Sequence, residues 1–167
     1  MEMNTLNDVL TEQLGDLYSA EQQLVEALPK MAGAASSQEL RTAFEQHLEE
    51  TRGHVKRREQ AFSEIGIKPP AEECEAMKGL IKEGDKVVKA DGQPAAKDAA
   101  LIAAAQRVEH YEIAGYGTVR TLARELDMDE VSSLMSETLD EESAADEKLT
   151  TIATGGALSS GVNSEAR

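Results

Sequence analysis

Leu14-Gly-Asp-Leu17-Tyr-Ser-Ala-Glu21-Gln-Gln-Leu24-Val-Glu-Ala-Leu28 sets leucines at helical spacing and then puts a glutamate where the next leucine belongs. Leu6 and Leu10 extend the stripe backwards, so one face of a long helix is apolar except at Glu21. A second stripe, Leu101, Ala105, Val108, Glu112, Gly115, Val119, Leu122 and Leu126, is interrupted in the same way. A shift of 91 positions (112 minus 21) carries Leu14, Leu17, Glu21, Leu24 and Leu28 onto Ala105, Val108, Glu112, Gly115 and Val119. The same shift carries Leu40, Phe44, Leu48 and Glu50 onto Val131, Met135, Leu139 and Glu141. Two helical hairpins packed face to face are the expected result. A buried carboxylate is costly unless something neutralises it, and two at matching places point to a cation between them.

Composition narrows the function classes. Aromatic residues make up 3% of the 167 and Trp is absent, so the core must be built mainly from Leu, Ala, Val, Ile and Met, which suits helix packing. Seventeen basic against 32 acidic residues leave a formal charge of −15, a field that repels nucleic acid and anionic membranes and attracts cations. A single cysteine, Cys74, excludes an internal disulfide and a Cys-rich zinc site. The first nine residues lack the pattern of a signal peptide, and the apolar run Ala99 to Ala105 is far short of the ~20 residues of a membrane span. A cytoplasmic protein with no nucleic-acid or membrane partner is expected.

Helical periodicity predicts four long segments and one short one. The first runs from Thr5 to about Met31; the second opens at Ser36, with Glu39 completing a capping box, and ends near Ile65. Lys68-Pro69-Pro70 closes it, and a shorter amphipathic helix follows from Glu73 to Ala90. The third long helix covers Ala95 to Glu125, and the fourth opens at Asp127 and Glu130 and fades near Ala153. The linking stretch of roughly 30 residues can travel the length of helices spanning ~40 Å. The fold class is therefore all-α: a four-helix bundle with one long crossover carrying an additional short helix. Residues 1–153 form this domain, and the Gly/Ser-rich residues 154–167 are expected to be disordered.

The second helix supplies His47, Glu50 and His54 on adjoining faces, and the fourth supplies Glu142 near the centre of its stripe with Asp146 one turn on. Glu109 precedes Glu112 by three and shares its broad face. Together, Glu21, His47, Glu50, His54, Glu109, Glu112, Glu142 and Asp146 are the ligand stock of a di-iron or di-manganese carboxylate site. Two divalent transition-metal ions could be held by such a set, with bridging carboxylates offsetting their repulsion. Arg58, Arg107 and Arg120 offer the competing explanation, structural ion pairs, but they would have to solve the same desolvation problem at four glutamates. Either histidine could equally be a hydrogen-bonded packing residue, and His110 lies off the stripe.

Asp16-Leu-Tyr18-Ser-Ala-Glu21-Gln-Gln-Leu24, His47-Leu-Glu-Glu-Thr51, the long segment Asp98 to Gly117 and Glu137-Thr-Leu-Asp-Glu-Glu142 together resemble the YciE/YciF group of bacterial stress-associated proteins, within the ferritin-like superfamily. The resemblance reaches to about Ala153 and implies a dimeric ferritin-like bundle with a dinuclear metal centre. Most ferritin-like sites carry Glu-x-x-His on the second helix; here position 51 is Thr, and the fourth helix has no histidine, so Glu142 or Asp146 must substitute. An oxygen-rich site of this kind favours manganese more than usual.

Two functions are expected to compete. In the first, Glu21 and Glu112 are terminal or bridging ligands, Glu50 and Glu142 bridge, and His47 or His54 with Asp146 completes the shells of iron or manganese that reacts with O₂ or peroxide. In the second, a non-catalytic acidic homodimer uses metal only as a staple. A hollow storage shell is disfavoured, because residues 155–167 are too rich in Gly and Ser to form an assembly helix. Val25, Met31, Ile113 and Tyr116 are the candidates for a face covered by a partner.

Overall fold

The computed structural model describes residues 3–156 and 160–167, and every regular element among them is a helix. The order is α1 Leu6–Ala34, α2 Gln38–Glu64, α3 Glu75–Lys89, α4 Pro94–Glu125, α5 Asp129–Thr154 and α6 Val162–Glu165. α1 pairs with α2, and α4 with α5; α2 then packs on α5 and α1 on α4, closing a four-helix bundle. The crossover from α2 to α4 carries α3, which lies against α1 and α4. No helix is long and apolar enough to cross a membrane, among the described residues.

Helix starts follow local chemistry that the sequence shows only in part. Thr5 and Asp8 cap α1 reciprocally, the hydroxyl accepting from Asp8 N at 3.2 Å and the carboxylate accepting from Thr5 N at 2.8 Å. The cap of α2 is Ser37 rather than Ser36, because buried Asp98 of α4 accepts from both backbone amides, at 2.8 and 2.7 Å. The box expected at Asp127 is not formed. Asp127 takes φ of 57° in the turn, and α5 begins after Met128 without a side-chain cap. Gly15 seats the crossover: a Cβ there would stand 2.3 Å from Pro70 Cγ.

The expectation of a disordered tail from residue 154 is corrected by α6. Gly155 turns the chain at φ of 85°, and Gly161 then passes so close to the backbone of residues 153–155 that a Cβ would lie 2.1 Å from Gly155 N. Val162, 6% exposed, plugs into the apolar core beside α4 and α5. Glycines read as a flexible linker are here the condition for close backbone contact. Residues 157–159 lie outside the described residues.

The core is divided in two along the bundle axis. One apolar cluster holds Leu24, Leu28, Phe44, Val108 and Leu149, and the other Leu14, Leu17, Ala61, Tyr116 and Met135. Glu21 lies between Leu17 and Leu24, Glu112 between Val108 and Tyr116, and Glu142 between Met135 and Leu149. The stripe interruptions therefore form one polar layer across the middle of the bundle.

A candidate metal centre

Glu21, Glu112, Glu142 and His54 are fully buried, while Glu109 is 3% and His47 6% exposed. Each helix of the bundle sends at least one of these side chains inward, because each sits in the apolar stripe of its own helix. They form two groups. One ligand atom each from Glu21, His54 and Glu142 lie within 4.8 Å of one another, and so do atoms from His47, Glu109, Glu112 and Glu142. Ligands on opposite sides of an ion bound at 2.0–2.2 Å stand ~4.2 Å apart, so small side-chain shifts would close each group onto a cation. Glu142 belongs to both groups.

Hydrogen bonding leaves this layer unfinished. Glu21 Oε2, His47 Nε2, His54 Nδ1, Glu109 Oε2 and both oxygens of Glu112 and Glu142 are buried without a hydrogen-bond partner among the described residues. His54 Nδ1 lies 2.9 Å from Glu142 Oε1 and 3.3 Å from Glu21 Oε1, but without hydrogen-bond alignment. Buried polar groups are normally satisfied, and a concentration of orphans in one place calls for an explanation. Oxygen and imidazole donors arranged around two centres fit transition-metal dications.

The protonation pattern without metal follows from the same crowding. Burial, then the neighbouring Glu142, Glu21 and Glu109, push the Glu112 carboxyl well above the usual carboxylate range, although Arg58 opposes the shift. Burial likewise raises Glu109, with His47 opposing. Burial would lower both imidazoles, but Glu109, Glu50 and Glu142 hold His47 at about 9. Glu142 and Glu21 hold His54 at about 10. Glu142 itself stays below the usual range: burial would raise it, and the two histidines outweigh that.

Each imidazole is gripped from outside. Glu50 Oε2 stands 3.4 Å from His47 Nδ1, leaving Nε2 facing the layer. Glu141 Oε2 stands 2.8 Å from His54 Nε2, leaving Nδ1 facing the layer. Arg57 in turn holds Glu141 Oε1 at 2.9 Å and Glu137 at 2.7 Å. Carboxylates that orient the far nitrogen of a ligand histidine are a common support for metal sites. Thr51 donates to His47 O at 2.8 Å, filling with a hydroxyl the place that the repeat gives to Glu142 (51 plus 91).

Six of the eight expected ligands converge, and two do not. Glu50 is 47% exposed at its side chain and orients His47 instead of bridging, because it points to the edge of the stripe. Asp146 sits at the α4–α5 surface, accepting from Gln106 at 3.0 Å and lying 3.4 Å from the exposed His110. Glu141 was missed as a support, though the repeat names it: it is the mate of Glu50, and the two perform the same task for one histidine each. Tyr116, expected on a partner-facing surface, is instead fully buried and donates to Glu21 Oε1. Buried Arg58 covers the Tyr116 ring, 4.1 Å from its centroid, and binds Thr138 at 2.9 Å rather than any carboxylate. Among the described residues no arginine forms an ion pair with Glu21, Glu112 or Glu142, and Arg58 acts on Glu112 only from a distance.

Residues 5–166 match the domain of unknown function DUF892. Protein YciF of Escherichia coli K12 is 49% identical over 154 residues, 92% of this chain and 93% of that protein. The crystal structure of the E. coli stress protein YciF superposes with a TM-score of 0.87 at 48% identity, covering 89% of this chain and 94% of that one. YcfI of Rhodopseudomonas palustris matches with the same TM-score at 43% identity, covering 91% and 97%. A Xanthomonas campestris protein at 21% identity, covering 87% and 89% with a TM-score of 0.70, shares the fold. A bundle interrupted by one buried acidic layer, aligned almost end to end with these relatives, belongs to the DUF892 family, that of the stress protein YciF.

Proposed function

We propose that this protein is a dinuclear metalloprotein of the stress response, holding two iron or manganese ions that react with O₂ or peroxide. The observation that carries the reading is the pair of overlapping ligand groups joined at Glu142, with their buried donor atoms unpartnered. Glu21, His54 and Glu142 would hold one ion, and His47, Glu109, Glu112 and Glu142 the other. Four carboxylates balance the charge of two dications, which removes the desolvation penalty that each glutamate carries alone. The bound pair supplies two electrons to an oxidant. The two apolar clusters flank the layer on either side, and Glu50 and Glu141 fix the nitrogen that each histidine presents.

Anaerobic loading with Fe(II) followed by peroxide tests the reaction. The unsubstituted protein is expected to consume peroxide at least ~100-fold faster than the Glu21→Ala/Glu112→Ala variant. Equal rates would remove the redox claim. If chelation lowers the melting temperature while no oxidant is consumed, the metal is a structural staple and the second expected function holds.

Proton release gives a separate check. With pKa values held at about 9 and 10, His47 and His54 are both protonated at pH 7 in the metal-free protein, yet a ligand imidazole must be neutral. Binding is therefore expected to expel at least those two protons, and apparent affinity rises with pH up to about 10. Calorimetric titration in two buffers of different ionisation enthalpy measures the release. Binding with no proton released would place the metal elsewhere.

A further inference from the structure

Between α2 and α5 a cavity of about 150 Å³ opens toward the second ligand group. His47 and Glu109 line its floor, and Ala43, Phe44, Ala145 and Leu149 form its walls. Glu21, His54 and Glu112 do not reach it. The first group is closed off instead by Tyr116 and by the Glu141–Arg57 clamp on His54. Among the described residues, the cavity thus opens toward the second ligand group rather than the first. The two layer residues that line it, His47 and Glu109, each carry a buried polar atom (Nε2 and Oε2) without a hydrogen-bond partner among the described residues.

The repeat explains the opening. Position 145 is the mate of His54 (54 plus 91), so a side chain there is directed toward the layer, and in this chain it is only a methyl group. Ala145 accordingly lines the cavity with no more than a methyl group. Its walls are largely hydrocarbon, which rewards an alkyl group and has little to offer water. A space of this size accepts a molecule of up to about six heavy atoms. Glu50, Glu109 and Glu141 outnumber Lys148 in its lining, so with a net charge of −15 the opening disfavours anionic oxidants.

We propose that this cavity binds a small neutral alkyl hydroperoxide, its alkyl group against Ala43, Ala145 and Leu149 and its peroxide oxygens toward His47 and Glu109. The inference rests on the metal reading above and adds the substrate class and the side of approach. The reaction is ROOH + 2 H⁺ + 2 e⁻ → ROH + H₂O. The O–O bond breaks; the two electrons would come from a reduced metal pair held by the layer, and the protons from solvent.

The test has a metal-free arm and a loaded arm. In metal-free protein labelled at alanine methyls, tert-butyl alcohol is expected to shift Ala43, Ala144 and Ala145 and to leave the other alanines in place. In Fe(II)-loaded protein, Ala145→Leu, compared at matched iron content, is expected to lower the ratio of tert-butyl hydroperoxide to hydrogen peroxide consumption by at least tenfold. Ala145→Gly checks that the loss comes from filled space, since it should retain or raise that ratio. No methyl shift, or a ratio unmoved by Ala145→Leu while hydrogen peroxide is consumed, overturns the cavity proposal and spares the metal reading. Failure to consume either peroxide with iron bound overturns the metal-redox reading and this inference with it.

Discussion

Glu112→Leu is expected to raise the melting temperature of the metal-stripped protein and to remove most of the further rise that metal brings. Glu112 is fully buried with neither oxygen hydrogen-bonded among the described residues, and its carboxyl is driven well above the ordinary range first by burial. In the stripped protein it is a pure cost. Replacing such a group with a hydrocarbon of similar size commonly stabilises by ~1–4 kcal/mol, which for a domain of this length is roughly 2–16 °C. Metal at a thousand times its dissociation constant stabilises the unsubstituted chain by about 4 kcal/mol, roughly 8–16 °C, and the variant should lose most of that gain. Thermal melts with chelator and with excess metal read both effects. If Glu112 served an ion pair, the leucine variant would melt lower under both conditions, and the metal account of this residue would fail.

Glu142→Ala is expected to have the largest effect on metal content. It is the one residue common to both ligand groups, and it holds the lowered carboxyl in the layer. Glu21→Ala leaves His47, Glu109, Glu112 and Glu142 in place, so one ion should persist. Glu142→Ala removes a ligand from both positions and also the anion that His54 faces at 2.9 Å. Loss of a ligand commonly costs at least as much as the 10–100-fold seen for its outer partners, so affinity at both positions should fall by ~100-fold or more. Titration of each variant with Fe(II) or Mn(II) distinguishes the two patterns. A Glu142→Ala protein that still binds two ions tightly would show that Glu142 does not bridge.

Much of this was legible in the chain before any coordinates. The bundle followed from leucine periodicity and the long crossover, since buried stripes at a spacing of 3.6 leave few alternatives. Glu21, Glu112 and Glu142 were legible for the same reason, a carboxylate in an apolar stripe being its own signal. Residues at the stripe edges were not. Glu50 and Asp146 share a helix face with true members of the layer, and about one side chain's length decides between pointing inward and turning to the surface. Glu141 was hidden because it acts on His54 rather than on the layer, although its repeat relation to Glu50 was on view. The order of the tail was unreadable from composition, because Gly161 is needed for backbone contact that only the fold brings about. Tyr116 stands four residues after Glu112, so its burial follows from the stripe, whereas its hydrogen bond to Glu21 on another helix depends on the packing.

Anomalous diffraction from crystals loaded with Fe(II) or Mn(II) tests the central claim most directly. Two peaks per chain are predicted, one among Glu21, His54 and Glu142 and one among His47, Glu109, Glu112 and Glu142. A loaded crystal with no peak inside the bundle, or with metal bound only at surface carboxylates, would contradict the account.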